Sequence, residues 1–133
     1  MEIKDVLSFV FQAVGTTQTF WNFYATIVTA ILGFVAAAKI EWLNKMVRGI
    51  LTAGFAIFAL ANYSALNQVR VQREALVALI PKLKGYSSSL DGIIASTSAP
   101  SFVPFMLFHG ALDIAVITMI WVIPYIRLSR GRR

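Results

Sequence analysis

Three apolar runs divide the chain: residues 20–38, 49–68 and 102–126. The first two contain no charged residue, and the third contains only Asp113 besides the single histidine, His109. Such runs are too long for ordinary core helices and match the length at which a helix crosses lipid. The third would form a helix of about 37 Å, against a hydrocarbon core of ~30 Å. Ahead of the first run, Ile3, Val6, Leu7, Val10, Phe11 and Val14 recur at helical spacing. They predict a short amphipathic helix within residues 1–19, lying in the interface or packed on the bundle, and broken at Gly15, Thr16 and Thr17. Residues 39–48 form a tight connection that makes the second span antiparallel to the first. After the second span an apolar face continues through Val69, Leu76, Val77, Ile80 and Leu83, with Pro81 as the next stop signal. The serine- and glycine-rich stretch that follows, to residue 101, reads as a loop with a short element at 90–95. Pro104 falls near the start of the third span, where a missing N–H matters least, and Pro124 is placed to kink or end it.

Composition agrees with this pattern. Hydrophobic residues make up 58% and charged residues 14% of the chain. Soluble domains carry roughly 25% charged residues. The predicted fold is an all-α membrane protein of three transmembrane helices plus the short N-terminal amphipathic helix. There is no cysteine, so thiol and disulfide chemistry are absent. Ala36, Ala37 and Ala38 resemble a signal-peptide cleavage site, but Glu2, Lys4 and Asp5 make the preceding flank acidic, so the first span is expected to be retained.

Charge placement predicts the orientation. Lys39, Lys45, Arg48, Arg127, Arg130, Arg132 and Arg133 lie beside membrane ends on one side, opposed there only by Glu41. The other side holds Lys4, Arg70, Arg73, Lys82 and Lys84, nearly balanced by Glu2, Asp5, Glu74 and Asp91. The positive-inside rule then puts the N-terminus outside and the C-terminus in the cytoplasm of a bacterial-type inner membrane. Trp21, Tyr24, Tyr63 and Phe105 near one boundary, with Trp42, Trp121 and Tyr125 near the other, form two aromatic belts. The basic side is expected to contact anionic lipid headgroups, with an anionic regulatory ligand as the sharper reading. No sequence-specific nucleic-acid motif accompanies it.

The strongly polar residues singled out within the spans are Asn22, Asn62, His109 and Asp113. His109 and Asp113 are four residues apart and share a helix face. They could pair with each other or with Asn62 and lock the bundle; they could line a water-filled path in which repeated Asp113 carboxylates favour cations; or they could ligate a metal shared between subunits. With one histidine and no cysteine per chain, no metal site or cofactor is predicted. No motif supplies a nucleophile, a phosphate loop or a zinc-protease helix, so an enzyme is not expected. Ala25, Thr29, Gly33 and Ala37 repeat every four residues and would let another helix approach closely.

Three helices alone enclose no lumen, so a path requires several copies. The leading expectation is a homo-oligomeric helical bundle forming a pore or ion channel, with Asn22, Asn62, His109 and Asp113 as intramembrane polar or path-lining residues. The alternative is a small accessory or scaffold subunit of a larger membrane complex. The layout of three spans, small size and the tail at residues 127–133 resembles that of three-span phage holins, which implies a membrane-permeabilising role; the segment at 69–101 is longer than that layout.

Overall fold

The computed structural model describes residues 2–130, and every regular element among them is helical. Helix α1 spans Ile3–Ala37 and α2 spans Lys45–Leu79, followed by a short α3 at Asp91–Thr97 and a long α4 at Phe102–Arg130. The helices α1, α2 and α4 are each long and apolar enough to cross a membrane. With 35 residues each, α1 and α2 reach about 52 Å, well beyond a ~30 Å hydrocarbon layer.

The separate N-terminal helix expected from the sequence does not form, because α1 runs without a break through Gly15, Thr16 and Thr17. The Thr16 and Thr17 hydroxyls donate to the carbonyls of Gln12 and Ala13, at 3.0 and 2.9 Å. Threonines bonded one turn back are satisfied inside a helix and need no break. The apolar face that suggested an interfacial helix is instead packed. Val6 and Val10 are buried with Ile80, flanked by Leu7, Leu76 and Ile94. Beyond the end of α4, therefore, α1 and α2 continue as an antiparallel pair with α3 laid against it. The continuation of α2 past residue 68 ends near Pro81, which lies in the short 3₁₀ turn Ile80–Lys82.

The main core lies where all three long helices meet. Tyr24 and Val35 from α1, Phe55 and Ala59 from α2, and Val116 and Ile120 from α4 are buried there with Leu43 of the connection. Phe55 and Ala59, and Val116 and Ile120, are four residues apart, and Val28, Ile31 and Leu32 fill the interval between Tyr24 and Val35, the spacing of an apolar helix seam. The connection between α1 and α2 is capped from both sides. Asn44 Oδ1 accepts the Val47 amide at 2.9 Å, satisfying a free N–H at the start of α2. Arg127 Nη1 donates to the carbonyls of Val35 and Ala38, at 3.1 and 2.8 Å. It thus places a cation on the negative end of α1. α4 continues through Pro124, which is buried, to bring Arg127 to this point.

The cap gives a direct prediction. Arg127→Met keeps the aliphatic stem but leaves these carbonyls without their donor, and should lower stability by about 1–2 kcal/mol. Detergent-titrated unfolding in mixed micelles measures it. A change within measurement error would mean that the cap contributes nothing.

Candidate functional site

Two features stand out: a polar cluster inside the bundle and a polar face outside it. The cluster begins at His109, a core position of α4 that is only 1% exposed. Its Nδ1 lies 2.9 Å from Asp113 Oδ2, one turn further along the same helix. Its Nε2 faces the amide nitrogen of Asn62 on α2 at 3.4 Å. An amide nitrogen can only donate, so Nε2 is the acceptor and the ring proton sits on Nδ1, pointing at Asp113. Asp113 Oδ1 accepts a second bond, 2.7 Å long, from the Tyr24 hydroxyl on α1. One chain of hydrogen bonds thus runs from α2 to α4 to α1. Trp21, Tyr24, Tyr63 and Phe105 surround the imidazole with ring centroids 5.2 to 6.3 Å away. This arrangement buries the imidazole, and each polar group finds its partner within one chain.

Of the four expected path-lining residues, the structure joins three and leaves one apart. Asn62, His109 and Asp113 meet in the cluster, with His109 and Asn62 buried and the Asp113 side chain 22% exposed. Asn62 and His109 are both buried inside the single bundle, where they join α2 to α4. The sequence did not signal Tyr24, which is 89 residues from its partner. Asn22 is elsewhere, exposed on α1 and accepting from Gln18 Nε2 at 3.2 Å.

Asn22 belongs to the second feature. Gly15, Gln18, Asn22, Ala25, Thr29, Gly33 and Ala36 recur at steps of three and four along α1, with Thr19, Thr26 and Ala37 beside them. All ten are exposed. They lie roughly half a turn from the buried line through Tyr24, Val28 and Val35. The predicted stripe of Ala25, Thr29, Gly33 and Ala37 is therefore not a contact within the chain; an added Cβ on Gly33 would meet nothing within 4 Å. The outward face of α4 is of another kind. Val103, Leu107, Ile114, Val122 and Tyr125 are exposed there, bulky and apolar, with Ala111, Ala115 and Thr118 between them.

The basic residues expected at anionic lipid are partly engaged within the protein. Arg127 caps α1, and Arg48 stacks over Trp121 at 4.8 Å. Lys39 lies 5.9 Å from the centre of the Trp42 ring, and Lys45 is exposed. Arg132 and Arg133 lie outside the described residues, as does any reading of the Arg130 side chain. Among the described residues no cluster of histidine, aspartate and glutamate has the makings of a metal site.

Comparison of the chain with protein-family models, curated proteins and solved structures gave no match.

Proposed function

We propose that the chain is an integral membrane protein whose identical copies assemble around a polar path, forming a pore or ion channel. The supporting observation is the contrast between its two outward faces. The α4 face is bulky and apolar, as lipid requires, while the α1 face from Gly15 to Ala37 is small or polar throughout. Amides and hydroxyls facing hydrocarbon are unfavourable, so that face calls for other protein or water. Arranging copies with α4 outward and α1 inward meets both needs. Small residues then admit close helix approach, and Gln18, Asn22, Thr26 and Thr29 line the path. Such a lining is uncharged, unlike the carboxylate ring read from the sequence.

The same reading sets the chain in a bacterial-type inner membrane, N-terminus outside and C-terminus in the cytoplasm, on the density of basic residues beside that end. Arg70 and Arg73 weigh against it by count; Arg70 is offset by Glu74, with which it pairs at 2.6 Å. The rival reading is an accessory subunit whose α1 face is covered by a different protein. It draws on the cluster of Asn62, His109, Asp113 and Tyr24, which closes within a single chain and leaves the isolated bundle complete.

Gly33→Leu tests the assembly. With open space around Gly33, the monomer should keep its stability within about 0.5 kcal/mol. The oligomer should dissociate about tenfold more readily, the equivalent of ~1.4 kcal/mol at the contact. Sedimentation in density-matched detergent reads the assembly, and planar-bilayer recording reads conduction. A wild-type protein that stays monomeric until a partner is added favours the accessory subunit. Stable oligomers that never conduct would end the pore reading.

A further inference from the structure

The seam that α2 presents to its neighbours contains a residue foreign to it. Leu66 and Ile80 are almost fully buried, and midway between them, seven residues from each, stands Arg73. It occupies a core position and is only 9% exposed. Among the described residues no carboxylate lies within ion-pair distance of it. Glu74, its neighbour in sequence, is taken by Arg70. The one hydrogen bond of Arg73 runs from Nη2 to the Ser98 carbonyl at a long 3.4 Å, and its Nε is sealed without a partner. A buried guanidinium so poorly matched is strongly unfavourable unless an anion completes it.

The surroundings fit that anion. Ser98 lies in the linker that enters α4 at Phe102, so the guanidinium is held near the start of a 29-residue helix. In its first turn Pro104 has no N–H and the Phe105 N–H donates to the Ser101 carbonyl at 3.3 Å, which leaves those of Phe102 and Val103 at the positive end of the helix. Arg70, three residues before Arg73 on α2, stacks over the ring of Phe102 at 5.3 Å while paired with Glu74. Tyr63 and Phe105 stack nearby with centroids 5.5 Å apart. Aromatic rings at the end of the apolar runs mark the depth of lipid headgroups.

We propose that Arg73, supported by Arg70 and the first turn of α4, binds a phosphate group, from a lipid headgroup or a free phosphate anion. The planar guanidinium fork matches two phosphate oxygens at once and supplies the donors that now lack acceptors. This site is independent of the path along α1 and holds for a pore or an accessory subunit alike.

The test uses the full chain in maltoside micelles, which carry no phosphate. Without added lipid or phosphate, Arg73→Met should be at least as heat-stable as wild type, since it removes a buried and poorly matched charge. Adding phosphatidylglycerol should raise the melting temperature of wild type and leave Arg73→Met behind it. Native mass spectrometry should show the tightest-bound phosphatidylglycerol released about tenfold more readily from the variant. Arg73→Lys, which keeps the charge but not the fork, should fall between the two. Inorganic phosphate added to the lipid-free micelles separates the sources: a matching rise identifies a free anion, and no rise identifies the lipid. Equal responses of wild type and Arg73→Met in both arms would overturn the proposal. So would a Met variant that is less stable by the same amount in every condition, or a stabilisation that follows protein concentration instead of the anion, which would assign the charge to a carboxylate of a second copy.

Discussion

Leucine in place of Asp113 is expected to lower the stability of the bundle by about 1–3 kcal/mol, with little change in side-chain volume. The carboxylate is the common acceptor for two donors from different parts of the chain, the Tyr24 hydroxyl and His109 Nδ1. Removing it leaves both donors inside an apolar cage, and a buried donor without a partner is unfavourable by about 1–3 kcal/mol. Hydrogen bonds between membrane helices average only ~0.6 kcal/mol with a maximum near 1.7, which holds the estimate to this range. Asp113→Asn retains one acceptor oxygen and should be milder. The two bonds can be separated by a double-mutant cycle of Tyr24→Phe with Asp113→Leu, which should show a coupling of about 0.5–1.5 kcal/mol. Detergent-titrated unfolding supplies the four stabilities. Strict additivity, with no coupling, would mean that the Tyr24–Asp113 bond does not hold α1 to α4. A channel whose filter is Asp113 would behave otherwise: its stability would be unchanged and its selectivity lost.

The extent to which the sequence disclosed this structure follows from the range of each interaction. Long apolar runs between charges mark the three long helices because hydrophobicity over many residues is a local property. The pairing of His109 with Asp113 was also legible, being one helical turn. Asn62 was a named alternative partner for them. Tyr24 was not, because its hydroxyl meets Asp113 only through the packing of α1 on α4, and nothing near Tyr24 in sequence points there. The break expected at Gly15–Thr17 rested on residues that favour turns in isolation. In the helix their hydroxyls bond back one turn, and the valines before them pack on Ile80, so packing overrode local preference. The spacing of Ala25, Thr29, Gly33 and Ala37 marked one helix face correctly as a unit. Its direction, away from α2 and α4, required the fold. Arg73 shows the same limit: its seven-residue spacing from Leu66 and Ile80 is visible in sequence, yet a charged residue there reads as the solvent side until burial is seen.

On the proposed assembly, the outward face of α1 meets water while that of α4 meets lipid. The chain has no cysteine, so a single introduced thiol reports its own position without background. Cysteines at Asn22, Thr26 and Thr29 on α1 and at Leu107 and Ile114 on α4 sample the two faces, all five being exposed in the single chain. A charged, water-soluble methanethiosulfonate reagent reacts only where the thiol is wet. Modification is expected at 22, 26 and 29, with loss of most of the current across a planar bilayer, and none at 107 or 114. Inert cysteines at all three α1 positions, or equal reaction on both helices, would contradict that assembly.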